Sequence, residues 1–169
     1  MIYSVFLFSQ SPAIQWSKKF GGGLDDNCFD ILKTSENNFI VIGSTRSASG
    51  DVIGFRGAQD VWMIKIDNLG NLIWSRCLGG IASEYGASIQ QTSDGGFIFI
   101  GSTSSNTIDV SGLHVFGGAP FGYDDIWAVK TDSTGQIEWQ KCIGSDDDDL
   151  GFQIIPTSDS SYFILGQPH

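Results

Sequence analysis

The densest chemistry in the sequence is acidic. Asp146-Asp147-Asp148-Asp149 sets four carboxylates in succession, and Asp25-Asp26 holds a related position earlier in the chain. Several hard oxygen donors together suit calcium. The run lacks an Asp-x-Asp-x-Asp-Gly loop, however, and the remaining related position offers only Ser83 and Glu84. It therefore reads as a solvated connection. Paired carboxylates also serve glycosidases, which hold two acids about 5–10 Å apart across a cleft. Asp51, Asp124 and Asp125 are available for that role, but spacing singles out none of them. A Ser/His/Asp arrangement has one internal histidine to draw on, His114, which reads as a polar loop residue. Lys65 and Lys130 recur at equivalent places, where a side chain snorkelling past a sheet edge is the simplest expectation. Catalytic, cofactor-binding and metal sites are accordingly all read as none, and no cofactor is expected.

Cysteine usage agrees. Cys28, Cys77 and Cys142 are odd in number and show no Cys-x-x-Cys spacing, which excludes a disulfide framework and a zinc knuckle. All three read as small apolar fillers. The formal charge of −10 and a sequence pI near 4.3 repel a phosphate backbone, so nucleic acid is not an expected partner. No stretch is long enough to span a membrane as a helix.

The elements that carry these residues repeat. Trp16, Trp74 and Trp139 head the segments Trp16-Ser-Lys-Lys-Phe-Gly21, Trp74-Ser-Arg-Cys-Leu-Gly79 and Trp139-Gln-Lys-Cys-Ile-Gly144, at spacings of 58 and 65 residues. The same two offsets relate Asp26, Glu84 and Asp149. They also relate Thr34, Thr92 and Thr157, and then Gly43, Gly101 and Gly166. One register held by independent landmarks marks an internal repeat. The longer copy takes up its extra residues within about Val115 to Tyr123, as a surface loop tolerates.

Each unit reads as four strands. The first covers Phe29 to Thr34, Ala87 to Thr92 and Phe152 to Thr157, and the second Phe39 to Ile42, Phe97 to Ile100 and Tyr162 to Leu165. The third is Val61 to Asp67 and Ile126 to Asp132. The fourth is Leu72 to Leu78 and Ile137 to Ile143, with Ile14 to Phe20 as an orphan copy. Short apolar runs rich in β-branched and aromatic residues, punctuated by Gly, Asn and Asp, fit strands and break a helical period. The second strand has no polar alternation, so both its faces must be covered. Stacking repeated antiparallel sheets against one another achieves that, which is the propeller arrangement. Trp62 and Trp127, with the three leading tryptophans, are expected to wedge between neighbouring sheets.

The expectation is an all-β chain, a partial β-propeller of about two and a half four-stranded antiparallel blades. Residues 23–80 form blade 1, 81–145 blade 2, and 146–169 the first two strands of a truncated blade 3. Residues 13–22 are the outer strand of a preceding or closing blade. The apolar run Ile2 to Phe8, within residues 1–12, resembles the end of a signal peptide, with an extra edge strand as the other reading. A propeller ring takes four to eight blades, so the chain is expected to be a fragment that self-associates through its open blade faces.

The stretch from Ile14 to Leu165 resembles the secreted β-propeller repeat proteins of Bacteroidetes, many of them exported by type IX secretion. The residues that carry the likeness are Trp74 to Gly80, Ile89 to Phe97 with Gly101-Ser102-Thr103, and Asp125 to Asp132. The resemblance implies secretion or a cell-surface location and brings no catalytic residues. Lys130, Asp132, Thr134, Gly135 and Trp139 are also similar to the tryptophan-docking repeat of quinoprotein propellers, where the motif is architectural and implies no cofactor. The same turn resembles a sialidase Asp box less well, because Gly135 follows Asp132 by three residues rather than two. The function expected is a non-catalytic secreted or cell-surface binding or scaffolding module for an unknown protein or glycan. The alternative is a fragment of a propeller enzyme acting on glycans.

Overall fold

The computed structural model describes residues 13–114, 123–159 and 161–168. Ten strands run in chain order: β1 (Asp26–Lys33), β2 (Phe39–Thr45), β3 (Asp60–Ile66), β4 (Leu72–Leu78), β5 (Glu84–Gln91), β6 (Phe97–Thr103), β7 (Asp125–Thr131), β8 (Ile137–Ile143), β9 (Leu150–Pro156) and β10 (Tyr162–Gln167). They form three antiparallel sheets, β1-β2-β3-β4, β5-β6-β7-β8 and β9-β10, each strand hydrogen-bonded to the next in sequence. Among the described residues there is no helix, and the sheets do not close into a barrel. The all-β, antiparallel part of the expectation therefore holds.

The turns explain the hairpins. Asn37 and Gly95 take φ of 63° and 83° at equivalent places in the β1–β2 and β5–β6 turns, and Gly70 and Gly135 take 77° and 79° in the β3–β4 and β7–β8 turns. Left-handed backbone is cheap only for glycine, and tolerable for asparagine. Each first strand also carries a bulge, at Cys28/Asp30, Gly86/Ser88 and Gly151/Gln153 opposite the second strand. Each bulge adds one residue to the first strand and bends it against the second.

Alternation assigns the faces. Ile40 and Ile42 of β2 with Val61 and Met63 of β3 meet Ile89 of β5, Phe97 and Phe99 of β6 and Trp127 and Val129 of β7 in one core. The opposite side of the second sheet, Ile98, Ile100, Ile126 and Ala128, packs on Ile154 of β9. The two interfaces use equivalent positions. Burying each such side chain stabilises by about 1.5–3 kcal/mol, and an interior sheet gains on both faces. A third cluster, Trp62, Ile64, Ile66, Val52 and Cys77, lies on the outer face of the first sheet under Phe20 and Phe55.

One expected strand does not form. Ile14 to Phe20 runs over the β3–β4 hairpin without joining a sheet. A strand needs a hydrogen-bonding neighbour, and the described residues place none beside it. First strands also begin earlier than expected, at Asp26, Glu84 and Leu150. The signal-like residues 1–12 and most of the inserted loop, 115–122, lie outside the described residues.

Candidate functional site: the acidic loop end

The recurring acids gather at the end of the sheets where first strands begin and second strands finish. Asp26 accepts the Gly22 N–H at 2.7 Å and the Thr45 hydroxyl at 2.5 Å. Glu84 does the same with the Gly80 N–H at 2.9 Å and the Thr103 hydroxyl at 2.9 Å. Asp149 accepts the Ser145 N–H at 2.6 Å. These carboxylates tie the incoming connection to the new sheet by charge-assisted bonds. Asp51 and Asp109 repeat a second tie, accepting the N–H of Gly21 at 3.1 Å and of Gly79 at 3.2 Å. Asp51, one of the glycosidase-type candidates, is thereby engaged with backbone.

Sheet-to-sheet links use the same region. The Glu84 N–H donates to Gln59 O and the Asp149 N–H to Asp124 O, at 2.8 and 2.6 Å. Arg56 pairs with Asp109, joining the β2–β3 connection to the β6–β7 connection. Asp60 accepts the backbone N–H groups of Arg56 and Gly57 at 2.8 and 3.2 Å. Burial raises the Glu84 carboxyl above its ordinary range despite its hydrogen bonds to Ser105, Gly80 and Thr103. Burial likewise raises Asp60, against the N–H groups of Arg56 and Gly57.

The second unit departs from this pattern. Asp125 is the counterpart of Asp60 and is fully buried. Its Oδ2 faces the His114 backbone N–H at 3.0 Å and Nδ1 at 2.9 Å, while Oδ1 has no hydrogen-bond partner among the described residues. Half-exposed His114 is thus oriented by a buried carboxylate. Asp124 beside it is raised by burial and by the Asp148 charge, and its N–H donates to Asp148 Oδ1 at 2.9 Å. The acidic run is not uniformly solvated: Asp146, Asp147 and Asp148 are exposed, but Asp149 is buried. Among the described residues no group of three or more His, Cys, Asp or Glu side chains is arranged to hold a metal ion.

The lysines correct the snorkelling expectation. Both are buried. Lys65 Nζ pairs with Glu36 at 2.9 Å and lies 5.7 Å from the Phe97 ring centroid. Lys130 Nζ holds Asp94 at 2.9 Å and Glu138 at 2.7 Å. Burial pulls the Lys130 ammonium down, but the two carboxylates outweigh it and leave the group raised. The lysines fasten the hairpin turns at the end opposite the acids.

Near Lys130 a groove runs past Trp139, Tyr162, Pro156 and the Thr92–Gly95 turn. Trp139 lies 6.0 Å from the Tyr162 ring, a pairing that could pass for a sugar platform. Its counterpart Trp74 covers a hairpin of the next sheet, at Gly135, whereas the described residues place no such hairpin under Trp139. Trp62 and Trp127 sit in the cores, their indole N–H groups donating to Ser75 and Gln140 at 2.9 Å each. Burial pushes the Cys77 and Cys142 thiols up to about 12, leaving them inert fillers; Cys28 is exposed.

Sequence reasoning named Asp124 and Asp125 together and His114 apart from them, and missed that His114 meets Asp125. No spacing signals a contact made through an inserted loop. Compared with models of protein families and with curated protein sequences, the chain finds a match in neither.

Proposed function

We propose that the chain is a section of a secreted or cell-surface β-propeller that binds or scaffolds a protein or glycan without catalysis. The observation that carries the reading is how the recurring acids are used. Asp26, Glu84, Asp149, Asp51 and Asp109 all hold backbone N–H groups, which suits a scaffold and leaves few groups for chemistry. Repeated four-stranded sheets stacked through equivalent residues support the propeller, and the signal-like residues 1–12 with the Bacteroidetes-type repeat support export. Binding belongs to the loop end of the second unit, where His114, Asp124 and Asp125 border the inserted loop.

The enzyme alternative has one observation in its favour, the His114–Asp125 pair, because a carboxylate-oriented imidazole is half of a general-base arrangement. A glycan and surface-protein array probed with the chain, and with a variant lacking residues 115–122, separates the two. Binding lost on loop deletion, with no product released, is the expected result. Turnover of a glycan that disappears in His114→Ala would replace the binding reading with the enzyme.

A further inference from the structure

The first two units build the same loop contact from the same backbone and different side chains. In the first, the Gly23 N–H donates to Ser49 Oγ at 3.1 Å, and Gly50 takes a φ of 69°. Fifty-eight residues on, the Ile81 N–H donates to Thr107 Oγ1 at 3.2 Å, and Ile108 takes a φ of 62°. Two isoleucines therefore stand where the first unit has glycines.

The contact does not need either isoleucine, because the glycine pair forms it as well. Ile81 is 50% exposed and Ile108 is 61% exposed. Single apolar residues at a surface are ordinary. A β-branched residue in the left-handed region is strained as well, and Ile108 bears that strain while holding its side chain in water. Strain of this kind gathers where a side chain has a use.

The surroundings carry charge of one sign. Five segments meet at this end of the sheets: 21–26, 46–60, 79–84, 104–125 and 144–149. They hold twelve of the nineteen acids and two of the nine lysines and arginines. The other seven acids and seven bases cancel, so the formal charge of −10 belongs entirely to the loop end. Asp25 in the connection before Ile81, and Asp146, Asp147 and Asp148 in the connection after it, are exposed. Asp125, fully buried at this end, has its Oδ1 without a hydrogen-bond partner among the described residues. The acidic end is thus short of donors as well as of positive charge.

We infer that Ile81 and Ile108 anchor a basic protein partner, through a segment in which lysine or arginine accompanies large apolar side chains. An apolar centre with a polar rim is the make-up of a protein interface. Opposite charge steers such a partner in and sets its orientation. Isoleucine offers a sugar neither a ring to stack on nor a hydrogen bond, so the protein is the favoured ligand class. The inference deepens the binding reading above and rests on it.

Selection of random peptides displayed on phage against the immobilised chain tests the inference. Recovered peptides should combine Lys or Arg with Leu, Phe or Trp. A synthesised member should bind Ile81→Ser/Ile108→Gly about tenfold more weakly, and should bind the native chain more weakly as salt is raised. Leu69→Ser removes a side chain 65% exposed in the β3–β4 turn, at the opposite end, and should leave binding unchanged. Ile108→Gly relieves strain, so its urea midpoint should not fall, which separates lost binding from lost folding. Recovery of no peptide, peptides without basic residues, equal binding by the double variant, or a midpoint that falls would each overturn the inference. A glycan held on the array equally by the native chain and the double variant would overturn it while leaving the binding reading standing. Absence of any peptide, protein or glycan ligand would remove both.

Discussion

The indole of Trp74 lies across Gly135, so that β4 holds down the β7–β8 hairpin of the sheet that follows. Gly135 needs its glycine for two reasons, a φ of 79° and the ring above it. Gly95 shares the first reason, with a φ of 83°, but has nothing within 4 Å of where a Cβ would stand. Gly95→Ala should therefore cost about 1–2 kcal/mol from backbone strain alone, and Gly135→Ala measurably more. Urea titration of the two variants measures the difference. Equal losses would mean that the Trp74 contact is slack.

Trp127 and Trp139 are both strand tryptophans of the second unit, but only Trp127 is fully buried. Trp127→Ala should cost about 3–5 kcal/mol, the usual range for emptying an aromatic site in a core. Trp139→Ala should cost the fold under about 1 kcal/mol, since the ring is exposed and covers no completed hairpin among the described residues. Thermal melts of the variants give the order, and a larger loss for Trp139→Ala would contradict the packing described.

Glu84 gives stability a pH dependence of definite sign. Its carboxyl is raised in the folded chain by burial, so the native state holds its proton more tightly than the unfolded state. The associated stabilisation is complete below the ordinary glutamate value of 4.5. It is lost as pH rises through the raised value. Asp60 and Asp124 act in the same direction. Asp94, lowered by its hydrogen bonds to Lys130 and Thr92, acts oppositely, its contribution vanishing as pH falls through its depressed value. Stability should thus increase on mild acidification from neutrality and fall again in stronger acid. Glu84→Gln should flatten the rise while leaving the acid limb in place. A rise unchanged in Glu84→Gln would show that the Glu84 proton is not its source.

Lys130 offers a test of asymmetry in an ion pair. Its ammonium is buried, whereas Asp94 and Glu138 are both exposed. Replacing Lys130 with Met leaves two carboxylates that water can solvate. Asp94→Asn/Glu138→Gln instead leaves a buried charge with no anionic partner, and should be the more costly change by about 2 kcal/mol. Chemical denaturation of the two variants decides it, and a greater loss in Lys130→Met would place the stabilising role in the lysine stem rather than its charge.

Much of the architecture was legible because repetition exposes position. The second strands, the Asp67 to Gly70 and Asp132 to Gly135 turns, and the insertion point follow from two offsets. The starts of β1 and β5 were not legible, because Asp26-Asn27 and Glu84-Tyr85 look like loop. They pair as strand because Thr45 and Thr103 hold their carboxylates. Ile14 to Phe20 misled for the converse reason, since its residues suit a strand but pairing depends on a neighbour. At the candidate site the residue types were visible, but His114 reaches Asp125 through a connection whose path no periodicity dictates. The lysines on β3 and β7 looked like edge residues because the acids that hold them, Glu36 and Asp94, lie in turns of the other hairpin.

Mutual covering of the sheets is most directly measured by native-state hydrogen exchange of the β2 and β6 amides as denaturant is raised. If each sheet depends on the other's face, the amides of Ile42 and Ile100 should converge on one opening free energy, and Ile42→Ala should lower both together. Separate opening free energies, with Ile42→Ala felt only in the first sheet, would contradict that dependence.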